Sequence, residues 1–84
     1  MRNIRYNIIY RPEPEGGFTV IVPALPGCIT YGKDIAEAQK MAKDAIMAYL
    51  ASLKKHRELI PPSDADSFLG SIDLTARAPS FDYA

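Results

Sequence analysis

The sequence predicts an α+β fold, a β-β-β-α-β two-layer sandwich in which one long helix packs on one face of the sheet. Three observations carry this expectation. Residues 4–31 contain three short runs of alternating or β-branched residues, separated by clusters of proline and glycine. Residues 33–60 contain neither glycine nor proline, and their apolar positions recur at three- and four-residue steps. A chain of 84 residues has room for one domain and one core. The domain is expected over residues 1–75, followed by a C-terminal tail at 76–84.

The first strand is written in period two. Ile4, Tyr6, Ile8 and Tyr10 share one side, and Asn3, Arg5, Asn7 and Arg11 the other, with Ile9 breaking the polar side. Arg11-Pro-Glu-Pro-Glu-Gly-Gly17 is expected to end it in a loop of about seven residues, because proline cannot feed a ladder and glycine permits reversal. Phe18–Val22 resumes as the second strand. Pro23-Ala-Leu-Pro-Gly27 closes that strand, and Cys28–Tyr31 forms a short third before Gly32. Tyr6, Ile8, Phe18, Val20 and Val22 would then face the helix, leaving Ile9 and Ile21 to emerge on the other face beside Thr19.

Asp34 stands three residues before Glu37, a capping box with aspartate in the cap position. Ile35, Ala38, Ala42, Ala45, Ile46, Tyr49, Leu50 and Leu53 trace one face of a helix of about 22 residues, roughly 33 Å long. Six alanines between positions 36 and 51 favour the helix and let it approach a sheet closely. Lys54, Lys55 and Arg57 suit its negative pole. Pro61-Pro62 closes the helical stretch. Ser71-Ile-Asp-Leu-Thr75 alternates as a brief fourth strand with Ile72 and Leu74 inward, expected to run parallel to a central strand by a right-handed crossover.

Ten basic and ten acidic residues cancel, which speaks against nonspecific nucleic-acid binding. No stretch approaches the roughly 20 apolar residues of a membrane span, and Met1–Tyr10 has no charged leader followed by an apolar run. The expected location is therefore the cytoplasm. One cysteine, Cys28, excludes an intrachain disulfide and a multi-cysteine metal site; it reads as a small buried apolar side chain. The single histidine, His56, reads as solvated or facing the helix dipole. Gly16-Gly17 precedes a strand and not a helix, so it is turn chemistry and not a phosphate loop.

The residues Tyr6-Asn-Ile-Ile, Glu15-Gly-Gly-Phe18, Val20, Val22-Pro23, Leu25-Pro-Gly-Cys28, Thr30, Gly32 and Glu37-Ala38, with Ala45-Ile46 and Ile60-Pro61, resemble the HicB antitoxin family over about residues 4–62. The most specific part is Leu-Pro-Gly-Cys-x-Thr-x-Gly leading into a helix after a Gly-Gly-aromatic strand. The resemblance implies a degraded, partial ribonuclease-H-like fold. It also implies a role as the neutralising partner of a HicA-like toxin, a small basic protein that resembles a double-stranded-RNA-binding domain and cuts messenger RNA with a histidine. The antitoxin would cover that histidine and the RNA-binding face. Two departures stand out: Ala24 occupies a position where an acidic residue is common, and only about ten residues follow Thr75. Direct DNA binding by a C-terminal segment is accordingly not expected.

The expected protein is not an enzyme, with no catalytic residues, metal ligands or cofactor. Two-metal phosphodiester cleavage needs converging carboxylates, and the first strand offers none. Asp34 and Glu37 serve the helix cap, and the Ser-Asp-Ala-Asp loop at 63–66 is better suited to turns than to a hard cation. Residues 61–84 hold Asp64, Asp66, Asp73 and Asp82 against Arg77 alone, and the hairpin loop adds Glu13 and Glu15. These acids complement a basic partner. Glu13, Glu15, Asp64 and Asp66 are the candidate contacts, with Tyr31 as an aromatic anchor. An open sheet face and an exposed second- or third-strand edge also invite a homodimer or higher homo-oligomer. The alternative is an orphan oligomeric regulatory or ligand-binding domain without a toxin.

Overall fold

The computed structural model describes residues 4–74. Three strands, β1 (Ile9–Pro12), β2 (Phe18–Ile21) and β3 (Ile29–Gly32), precede one helix, α1 (Ile35–Lys55). The strands form an antiparallel sheet in the order β1-β2-β3. The helix lies across one face, and the α+β two-layer arrangement follows from that packing.

Alternation divides each strand between the two faces. Val20 is fully buried against Ala38 and Ala42, with Ile8, Tyr10 and Phe18 packed around them. Tyr10 and Phe18 meet edge to face, with ring centroids 6.4 Å apart. Gly32 permits this close stacking: a Cβ built there would overlap the backbone of Ala38. A second cluster joins Val22, Leu25 and Cys28 to Tyr6, Ile8, Ala45, Ile46, Tyr49 and Leu50. The Leu25-Pro-Gly-Cys28 motif is thus a structural plug. Leu25 is fully buried, and the turn is closed by Leu25 N–H to the Val22 carbonyl and Cys28 N–H to the Leu25 carbonyl. Gly27 adopts φ 82°, and the Tyr49 hydroxyl donates to the Pro26 carbonyl at 2.8 Å.

The helix starts as its sequence predicts. Asp34 Oδ1 accepts from the Glu37 N–H at 2.8 Å, while Glu37 Oε1 accepts from the Lys33 N–H at 2.7 Å. Its end carries no glycine. His56 caps it, Arg57 takes the left-handed conformation at φ 57°, and the Glu58 N–H reaches the Leu53 carbonyl while the Arg57 N–H reaches that of Lys54. This is a Schellman motif, so the helix stops six residues before Pro61. Ile35, expected on the buried face, is exposed at the first position of the helix.

Four sequence expectations are corrected. Residues 4–8 are not strand: β2 ends at Ile21 and Pro23 has no N–H to offer, so the first run has no ladder partner there. Arg11 and Pro12 instead pair with Thr19 and Phe18, which shortens the hairpin loop to Glu13–Gly17. The second strand is central and paired on both sides, so among the described residues the outer strands are β1 and β3. The fourth strand is absent over residues 71–74, with Ile72 and Leu74 outward. The returning segment runs beside residues 5–7, not along a central strand, and side chains replace the ladder: Ser63 Oγ donates to the Arg5 carbonyl and Asp64 Oδ1 accepts from the Asn7 N–H. Thr75 and the expected 76–84 tail lie outside the described residues.

Candidate functional site

The face of the sheet away from α1 is built by the odd positions of β1, β2 and β3. Pairing aligns them in two rows. Ile9, Ile21 and Ile29 form one row across the three strands, and Arg11, Thr19 and Tyr31 form the next. Ile29 and Tyr31 are exposed, and Ile9, Thr19 and Ile21 half-buried. The sheet therefore presents an isoleucine band beside a polar band with an aromatic end.

The polar band continues into the hairpin loop. Glu13 Oε2 accepts from Thr19 Oγ1 and from Arg11 Nε, the latter at 3.2 Å. These bonds, Thr19 first and Arg11 second, hold the Glu13 carboxyl below its ordinary range. Tyr31 lies across the glycine pair. Its hydroxyl donates to the Gly16 carbonyl at 2.9 Å, and a Cβ on Gly17 would collide with it. Gly16 and Gly17 both take positive φ, which lets the loop close with Glu13 N–H on the Gly17 carbonyl. Glu15 sits exposed at the loop tip. Glu13, Glu15 and Tyr31 therefore gather at one end of the sheet. Their meeting depends on the Thr19–Tyr31 pairing, which no local sequence signal announces.

Asp64 and Asp66 are not part of that group. Asp64 is half-buried beside Asn7, near the opposite end of β1. Its Oδ1 accepts from the Asn7 N–H, and its carbonyl accepts from Asn7 Nδ2, both at 2.8 Å. Asn7 Nδ2 also reaches the Ser67 carbonyl at 2.8 Å. The Asp64 carboxylate is therefore committed to holding the returning segment, while Asp66 is exposed. Sequence reasoning put Ile9, Thr19 and Ile21 on the open face and Arg11 on the same side of the first strand; it missed Ile29, which completes the isoleucine row.

Cys28 is buried in the second core cluster, and burial raises its thiol pKa. His56 Nδ1 lies 2.8 Å from the Ser52 carbonyl at the helix end, as befits a residue facing the helix dipole. Among the described residues, no three His, Cys, Asp or Glu side chains gather as a metal-binding set. No described helix is long and apolar enough to cross a membrane.

Comparison with known proteins places these features in a family. The profile described as the HicB-like antitoxin of bacterial toxin-antitoxin systems matches residues 6–81. A UPF0150 protein of Thermoplasma acidophilum is 48% identical over 63 residues, covering 75% of this chain and 91% of that protein. Antitoxin HicB of Escherichia coli strain K12 is 38% identical over 65 residues, 76% of this chain and 47% of that protein. Antitoxin HicB 1 of Photorhabdus laumondii is 34% identical over 61 residues, 73% of this chain and 39% of that protein. The chain thus spans less than half the length of these two HicB antitoxins and nearly all of the archaeal protein. The matched span takes in all three strands, the buried Leu25-Pro-Gly-Cys28 turn and the whole of α1, and the chain belongs to the HicB-like antitoxin family of bacterial toxin–antitoxin systems.

Proposed function

We propose that this protein is the antitoxin of a type II pair and neutralises a small HicA-like toxin that cleaves messenger RNA, by occluding the toxin's active site and RNA-binding face. The family match over residues 6–81 carries this reading. The open sheet face gives it a physical basis. A toxin that binds RNA is basic, and the Glu13–Glu15 hairpin offers carboxylates next to an exposed tyrosine and an apolar isoleucine band. Glu15 and Tyr31 are the proposed central contacts. Glu13 shares its charge with Arg11, Asp66 supplies a separate anionic point, and Asp64 acts by fixing the segment that presents it. The antitoxin does no chemistry in this reading; its domain, residues 1–75, works as a cover in the cytoplasm.

The test is co-expression with a HicA-like toxin, a short basic reading frame sought beside the gene. The expected result is relief of growth arrest and co-purification of the two proteins. Tyr31→Ala together with Glu15→Lys should weaken the complex by about 100-fold, since aromatic anchors dominate interface energetics. Failure of the wild-type pair to associate, with arrest unrelieved, would leave an orphan domain as the better description.

A further inference from the structure

The two carboxylates of the hairpin loop are held very differently. Glu15 is exposed at the loop tip, whereas Glu13 is fixed through both its backbone and its side chain. The Glu13 N–H donates to the Gly17 carbonyl at 3.0 Å, and the Glu13 carbonyl accepts from the Gly16 N–H at 2.9 Å. Its Oε2 takes two hydrogen bonds at once, from Thr19 Oγ1 and from Arg11 Nε. Its Oε1 takes none among the described residues, and no described buried side-chain oxygen is left without a partner. Oε1 is therefore open to solvent. One oxygen of the carboxylate is tied down and the other is presented.

The two donors do not grip equally. The Arg11 side chain is 61% exposed and that of Glu13 22%, so water screens the ion pair. Thr19 is half-buried in the central strand, opposite Arg11 on one side and Tyr31 on the other, and a β-branched side chain has little rotamer freedom. Its hydroxyl also comes first among the causes that lower the Glu13 carboxyl pKa. Valine suits such a strand position at least as well; what threonine adds is the oxygen.

We propose that Thr19 is a positioning residue for partner recognition: its hydroxyl sets Glu13 as a rigid acceptor whose Oε1 takes a charge-assisted hydrogen bond from a cationic side chain of the toxin. This rests on the antitoxin reading and divides the work of the two acids. Glu15, free in solvent, draws a basic partner in and mainly sets the association rate. Glu13 has little side-chain freedom left to lose on docking, because Thr19 has already removed it, so its hydrogen bond lengthens the life of the complex. Tyr31, beside Thr19 in the same row, shields that bond from water.

Binding kinetics with a HicA-like toxin whose catalytic histidine is replaced by alanine test this. Thr19→Val should raise the dissociation rate about 10-fold with the association rate nearly unchanged, and Thr19→Ser should restore the wild-type rate to within about twofold. Glu15→Gln should do the reverse, slowing association by an amount that shrinks at high salt. In a Glu13→Gln background, Thr19→Val should add almost nothing, because Thr19 acts through the charged carboxylate. Without toxin, the Glu13 carboxyl resonance should titrate at higher pH in Thr19→Val than in the wild type, with helical circular dichroism unchanged. Release of the toxin by Thr19→Val at the wild-type rate, an equal loss in the Glu13→Gln background, or an unmoved Glu13 titration each overturns the inference and leaves the antitoxin reading in place. A wild type that does not bind the toxin overturns the antitoxin reading, and this inference with it.

Discussion

Asn7 and Asp64 hold each other at two points, Asn7 N–H to Asp64 Oδ1 and Asn7 Nδ2 to the Asp64 carbonyl, each at 2.8 Å. The contact joins residues 57 positions apart and gives the segment after the helix its place beside the first run. Asn7→Ala keeps the backbone bond but strips the side-chain amide from the carbonyls of both Asp64 and Ser67. The expected loss is about 1–2 kcal/mol in urea unfolding. Limited proteolysis should also begin within residues 61–67, which the wild type protects.

Gly32→Ala should cost more. The added Cβ overlaps the Ala38 nitrogen and Cα, which belong to the helix backbone and cannot swing aside as a side chain would. The helix must lift from β3, loosening Val20, Ala38 and Ala42 together. A loss of about 3 kcal/mol or more is expected, read as a lower thermal midpoint.

Arg57→Gly should act in the opposite direction. Arg57 holds φ 57° to complete the helix-terminal motif, a conformation that costs an L-residue roughly 1 kcal/mol and costs glycine almost nothing. The variant should melt about 4–8 °C higher for each kcal/mol recovered, the range for a domain of this size.

Stability should fall at both ends of the pH scale, for separate reasons. The Tyr6 hydroxyl is raised above its ordinary value of 10.0, first by burial and then by the Asp64 charge. A raised folded-state value means that the folded form keeps its proton where the unfolded form has lost it. Its contribution is complete below pH 10 and is lost as pH climbs through the folded value. Glu13 is lowered from 4.5 by Thr19 and then Arg11. Its contribution is present above that value and disappears as pH drops through the lower folded one. Tyr6→Phe should flatten the alkaline limb and Glu13→Gln the acid limb in pH-dependent melts.

The helix was legible because its signals are local. Asp34, Glu37 and the spaced alanines specify start, direction and buried face without reference to distant residues. The basic last turn and a length of about 22 residues also put its end near Lys55, where the 21-residue helix stops; the motif that closes it was not legible, since an arginine in the left-handed position carries none of glycine's warning. The fourth strand failed for a different reason. Ser71–Thr75 has the alternation, but strand formation is a property of a pair, and alternation names no partner. The candidate site divides in the same way. Glu13, Glu15 and Tyr31 were recognisable by type, whereas their proximity comes from the register that sets Thr19 opposite Tyr31. Asp64 was recognisable as a turn residue, yet its role depends on an asparagine at the far end of the chain.

The seclusion of the lone thiol has a practical consequence. Cys28 lies behind Leu25 and Val22, and burial disfavours its reactive thiolate. A disulfide reagent must therefore wait for the Pro26–Gly27 wrap to part from Tyr49 before it can react. The sulfur is a built-in stopwatch: the labelling rate of the unaltered protein measures how often this wrap springs open, and any ligand that braces it will slow the clock.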